Sequence, residues 1–141
     1  MKFVVDGEPT GKGRPRFSRH SNYVITYTDG KTAMSENIIR IEYIRQCGNI
    51  KHETGALSIS VIAYCGIPSQ KNKKTKAAME SGEIRPTKKP DASNILKLIE
   101  DALNGVAYRD DSQITDARIE KYYSIKPRLE IQIESLGVNL H

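Results

Sequence analysis

Tryptophan is absent from this 141-residue chain, and phenylalanine and cysteine each occur only twice. Two cysteines, Cys47 and Cys65, fit a reduced, cytoplasmic protein better than a disulfide scaffold. No CxxC pair or Cys/His cluster is present, which argues against a structural zinc site. No apolar run approaches the roughly 20 residues that a bilayer span requires, so no membrane partner is expected. The N-terminal Met1-Lys2-Phe3-Val4-Val5-Asp6 meets an acid after three apolar residues, unlike a secretory leader. Internal repeats and long low-complexity tracts are also missing. What is abundant is positive charge: 22 Lys and Arg face 17 Asp and Glu, a net charge of +5. Such an excess favours a polyanionic partner, nucleic acid first.

Length and composition (38% hydrophobic, 28% charged) suit one domain over residues 1–141 with a core that needs no staples. Lys2 to Asp6 reads as a strand, broken by the glycine- and proline-rich loop Gly7 to Arg16. Tyr23 to Tyr27 reads as a second strand. Met34, Ile38, Ile41 and Ile44 form a helical stripe between about Thr32 and Cys47, stopped by Gly48. Leu57 to Tyr64 alternates as a central strand. The segment 69–90 carries seven cations against Glu80 and Glu83, and reads as a mobile basic loop with a weak helix at Thr75 to Met79. A helix from about Ala92 to Asn104 buries Ile95, Leu98, Ile99, Ala102 and Leu103, leaving Ser93, Asn94, Lys97 and Asp101 on its polar face. Strands at about Ser112–Ser124 and Arg128–Glu134 finish the chain. The order β-β-α-β-(α)-α-β-β describes a mixed α/β (α+β) single domain, a mixed sheet with helices packed on it.

Chemistry concentrates around the second helix. Asp91 stands where an acid commonly caps exposed N–H groups, and is also placed to be a ligand. A six-residue loop after the helix could return Asp111 towards Asp91. Two carboxylates meeting there would repel unless a hard cation such as Mg²⁺ neutralised them. Lys97 is open to two roles: an i,i+4 pair with Asp101, worth about 0.3–0.5 kcal/mol, or an ammonium on a scissile phosphate. The loop Gly11-Lys12-Gly13-Arg14-Pro15-Arg16 lacks a P-loop frame but places three cations on a closely approaching backbone. Lys12, Arg14 and Arg16 are therefore candidates for DNA phosphates, as are Lys71, Lys73, Lys74, Lys76, Lys88 and Lys89 of the basic loop.

Three linked segments make a more specific pattern: Lys89-Pro90-Asp91-Ala92-Ser93-Asn94-Ile95-Leu96-Lys97, then Asp101-Ala102-Leu103-Asn104-Gly105, then Tyr108-Arg109-Asp110-Asp111-Ser112-Gln113-Ile114. Together they resemble the RusA-type Holliday-junction resolvases, whose pattern runs KPDxDNxxK, DALNG, DDxQ. The opening Gly11 to Phe17 and Thr26-Tyr27-Thr28 resemble phage and prophage members, so the likeness spans Gly7 to about Tyr123. It implies a RusA-like fold and a homodimeric endonuclease of DNA recombination and repair. Such an enzyme makes paired nicks at four-way junctions with Mg²⁺, for which Mn²⁺ can substitute. The resemblance places the catalytic acids at Asp91 and Asp111 and the required lysine at Lys97.

The family's remaining acid falls on Ser93, a neutral and poor Mg²⁺ ligand. Either another acid substitutes, Asp110 in preference to Asp101, or the chain was altered to trap DNA, or it binds branched DNA without cutting it. A structure-selective binding protein is thus the alternative to the nuclease. A basic RNA-associated module lacks an aromatic stacking motif to support it.

Overall fold

A computed structural model describes residues 1–137. Its strands are β1 (Lys2–Asp6), β2 (Arg16–Arg19), β3 (Val24–Tyr27), β4 (Leu57–Gly66), β5 (Ile114–Ser124) and β6 (Arg128–Ser135). Its helices are α1 (Gly30–Cys47), α2 (Lys73–Ser81) and α3 (Ala92–Leu103). The main sheet has the order β1-β6-β4-β5. β6 runs antiparallel to both β1 and β4, whereas β4 and β5 are parallel. A parallel neighbour requires a crossover, and the segment between β4 and β5 supplies one that carries α2 and α3. The result is the mixed α+β domain that the periodicities indicate.

Strand alternation fixes which face receives the helices. Leu57, Ile59, Val61, Ala63 and Cys65 of β4 are buried, and so are Leu129, Ile131 and Ile133 of β6. All but Cys65 meet Ile39 and Tyr43 of α1 and the apolar side of α3. Four large side chains of α3 (Ile95, Leu98, Ile99 and Leu103) are fully enclosed. At about 1.5–3 kcal/mol each, their burial outweighs the ~1 kcal/mol that a missing N-cap bond costs this helix. Gly105, at φ +79°, makes the left-handed turn that ends it.

Three elements differ from the sequence expectation. Arg16–Arg19 forms a strand that the sequence reading does not assign, starting on the last residue of the expected loop and paired with β3 in a hairpin separate from the main sheet. Its residues do not alternate in hydropathy because neither face enters the core. Within 69–90 the weak helix is a full α2, capped by the Asn72 side chain on Thr75 N at 2.8 Å and seated by Met79 against Cys65 and Tyr123. Arg85 then lies over the Tyr122 ring, 4.1 Å from its centroid, and donates to the Lys121 carbonyl. Finally, α1 turns its predicted stripe outwards. Met34, Ile38, Ile41 and Ile44 are exposed, and the buried face is Thr32, Glu36, Ile39 and Tyr43. Spacing alone located the helix; burial of Ile39 and Tyr43 in the core sets which side faces in, and Lys12 neutralises the Glu36 that this side carries.

Candidate nuclease site

The opening loop is shaped by close approach. A side chain on Gly11 would come within 3.0 Å of Asn94 Cβ and 3.1 Å of Pro90 Cβ. One on Gly13 would meet the Asp29 carboxylate at van der Waals overlap. The glycines therefore let this loop dock on the starts of both α3 and α1, with Lys12 N donating to the Asn94 carbonyl at 2.9 Å and Gly13 N to Thr32 Oγ1 at 3.0 Å. Docked this way, the loop walls a cleft of about 560 Å³ with the start of α1 and the segment Lys89-Pro90-Asp91. Arg14, Lys31 and Lys89 line it, together with Asp29 and Asp91.

Lys12 also lines the cleft, but its ammonium is engaged within the protein. Its ammonium reaches Glu36 at 3.3 Å and Asp101 at 3.2 Å, and its side chain is only 22% exposed. It is a strut between α1 and α3. Arg14 and Arg16 do remain exposed, as do Lys71, Lys73, Lys74, Lys88 and Lys89, whereas Lys76 is half-buried.

The acids sort themselves by what already engages them. Asp29 caps α1 through Thr32, and its carboxyl is held below the usual range by those bonds. Asp110 closes a capping box: its carboxylate accepts from Ser112 N at 3.0 Å, while its own N–H donates to Gln113 Oε1 at 3.0 Å. The Ser112 bonds lower its pKa. Asp101 is shared by Lys12 and Lys97, the latter at 3.3 Å. Asp91 stands at the N-cap of α3 yet makes no side-chain cap bond. Among the described residues the carboxylates of Asp91 and Asp111 enter no hydrogen bond or ion pair. The reading of Asp91 as a helix cap thus finds no bond to support it, and Asp110, preferred as the substitute acid, is engaged elsewhere.

Asp111 is positioned through its backbone, its N–H donating to Asn104 Oδ1 at 3.1 Å. Because Asn104 closes α3 and Asp91 opens it, the loop carries Asp111 beside the helix rather than back to its first residue. A stripe of Ser93, Lys97, Glu100 and Asn104 lies between them, at i, i+4, i+7 and i+11. Glu100 is the residue that reading the sequence missed. Burial first, and then the Asp111 charge, push its carboxyl above the ordinary value. Lys97 is raised chiefly by Asp101, with Asp111 and Glu100 adding to the effect. The helical spacing from Ser93 and Lys97 was the signal for Glu100. For Lys31 it was a cation in the first turn of a helix, where the dipole disfavours one.

Among the described residues no three His, Cys, Asp or Glu side chains converge as a ready metal cage. Asp111 and the half-buried Glu100, coupled beside the later turns of α3, nevertheless suit a hard cation such as Mg²⁺, which takes one or two carboxylates and keeps several waters, while Asp91 stands apart at the helix start.

The family model for endodeoxyribonuclease RusA matches residues 6–134. The chain is also 36% identical over 139 residues to the uncharacterized protein YqaN of Bacillus subtilis (strain 168), covering 97% of each chain.

Proposed function

The chain belongs to the RusA endodeoxyribonuclease family, and from that premise we propose that it resolves four-way DNA junctions by paired, metal-dependent nicks in recombination and repair. The observation that carries the reading is the free carboxylate of Asp91 in a basic cleft. Asp29, Asn72 and Asp110 all use their side chains as caps, and Asp91 does not. A residue at a cap position that leaves the cap unmade is available for chemistry.

In this reading Arg14, Lys31 and Lys89 hold the DNA backbone in the cleft. Lys97, kept protonated by Asp101, stabilises the charge that develops on the phosphate. Asp91 and Asp111 are the catalytic carboxylates, and Glu100, not Asp110, supplies the negative charge that Ser93 lacks. Mg²⁺ or Mn²⁺, when bound, would polarise the phosphate and lower the pKa of a coordinated water. A two-fold symmetric junction offers two equivalent strands, so a homodimer is the natural agent. The outward α1 stripe of Met34, Ile38, Ile41 and Ile44 supplies an apolar surface for it.

Ser93 favours a second reading, a binder of branched DNA with little nuclease activity. A nicking assay on a four-way junction with Mg²⁺ or Mn²⁺ separates the two. For the nuclease, the chain as it stands nicks both strands, Asp91→Asn abolishes nicking while binding in EDTA persists, and Ser93→Asp accelerates nicking. Tight binding without nicking, restored by Ser93→Asp, establishes the binder. Absence of any preference for junction over duplex refutes both.

A further inference from the structure

The β2–β3 hairpin is built unlike the rest of the molecule. Cross-strand partners share a face, so Arg16, Tyr27 and Ile25 lie on one side and Phe17, Val24 and Arg19 on the other. Both sides are exposed, with Phe17 at 70% and Tyr27 at 48%. At the tip His20 and Tyr23 exchange backbone hydrogen bonds, and their rings stack with centroids 4.7 Å apart. A two-stranded hairpin with neither face covered is marginal in water, so a partner is implied.

Charge identifies that partner. No acid occurs from Pro9 to Thr28, while Arg14, Arg16 and Arg19 are exposed and Arg14 lines the Asp91 cleft. Apolar surface alone would suit a second copy of the chain, and α1 offers that without such a concentration of cations. Aromatic rings interleaved with arginines suit nucleic acid whose bases are free to stack. A fully paired duplex hides its base faces; the centre of a branched junction, where strands exchange, does not.

We infer that the β2–β3 hairpin is a wedge that stacks Phe17 and Tyr23 on unstacked bases at the branch point, while its arginines hold the flanking phosphates. This rests on the junction reading above and adds the element that selects the branch. It also sets the order of contact: the hairpin leaves the cleft at Arg14, so seating it at the branch brings a nearby phosphate to Asp91.

The test uses the full chain in EDTA with three DNAs of equal length: a four-way junction, a duplex with an unpaired bubble and a fully paired duplex. Each carries a fluorescent adenine analogue at its centre. The wild-type chain should raise the analogue's fluorescence in the first two. Phe17→Ala/Tyr23→Ala should lose that rise and at least about tenfold in affinity for both, with paired-duplex affinity unchanged, because stacking operates only on accessible bases. Phe17→Leu, which keeps apolar bulk without a ring, should show the same selectivity in smaller measure and guards against misfolding. Arg16→Ala/Arg19→Ala should weaken all three DNAs alike. Equal losses on paired duplex, no loss at all, or a shift from dimer to monomer in sedimentation would overturn the wedge. A wild-type chain indifferent to junctions would defeat the resolvase reading instead, and the bubble DNA would still decide the hairpin.

Discussion

Replacing Lys12 by methionine separates two roles that the sequence could not distinguish. If Lys12 contacts DNA, Lys12→Met should weaken binding and leave the fold alone. The structure places its ammonium between Glu36 and Asp101, whose side chains are 10% and 22% exposed. A fully buried pair that loses one partner costs about 3–5 kcal/mol, and an exposed pair about 0–1 kcal/mol. With Glu36 nearly enclosed and Lys12 partly open, the loss should be about 2 kcal/mol. For a chain of this size that corresponds to roughly 8 °C in thermal midpoint. Methionine retains most of the apolar stem, so little of the effect is lost packing. Removing the stranded charge should then recover stability: Lys12→Met/Glu36→Gln should melt above Lys12→Met, whereas Glu36→Gln alone should cost less because Lys12 keeps Asp101. Arg14→Ala, two residues away but exposed, should leave the melt unchanged and reduce the salt slope of DNA binding by about one. Melting curves for the four variants and the wild type decide the matter. A Lys12→Met midpoint within about 2 °C of wild type, or a double variant no more stable than the single, would refute the strut.

Glu100 should make stability fall as pH rises. Its folded pKa is raised above 4.5, so the folded state holds the proton more tightly, and the stability this confers at low pH is lost as pH climbs through the raised value. Glu100→Gln should flatten that decline and raise the metal-free melt at neutral pH; an unchanged pH profile counts against it. Charge placed in the outward α1 stripe by Ile38→Glu/Ile41→Glu should yield a folded monomer by sedimentation, and a persistent dimer would remove this face from consideration. Lys71→Ala/Lys73→Ala/Lys74→Ala should weaken binding to junction and duplex equally and flatten the salt dependence, since these exposed cations flank the start of α2 and carry no base-reading partner. An unchanged salt slope assigns them to solvent.

The elements with a single strong period were legible in the sequence. α3 shows its five buried apolar residues at the spacing of one helix face, and β6 alternates from Arg128 to Glu134. Where two forces compete, pattern reading chose wrongly. α1 offered an aliphatic stripe, yet the face with Ile39 and Tyr43 went inside, Tyr43 packing edge-on against Phe3 and donating to the Ile50 carbonyl, while Lys12, 24 residues earlier, neutralises the Glu36 that shares this face. β2 has no alternation to detect, since its partner is β3 and its faces are both open. For the proposed site, spacing singled out Asp91, Lys97 and Asp111, and the resemblance supplied the roles proposed for them. It could not show that Asp110 is held in a capping box, because that depends on how the turn closes on Gln113. The role of Glu100 lay in a helical spacing already in view, but its burial beside Asp111 is a tertiary fact.

The consequence of Ser93 follows from the direction of helical ion pairs. An acid one turn before a lysine forms the better i,i+4 pair, and an acid one turn after it the poorer, though both are worth only a few tenths of a kcal/mol. With an acid at position 93, Lys97 would be drawn towards the Asp91 end of α3. With serine there, only Asp101 competes, and it holds the ammonium at 3.3 Å towards the C-terminal half, on the side of Glu100 and Asp111. Asp101 can hold that position because Lys12 grips its other oxygen, through a loop whose glycines alone permit the docking. On the proposed mapping of the family's acid onto position 93, serine there would leave Lys97 to Asp101 alone, and Lys97 would then not compensate Asp91. Positive charge for Asp91 must then come from Arg14 and Lys89 or from a cation that arrives with the DNA. This ties the chemistry of the site to occupancy of the cleft.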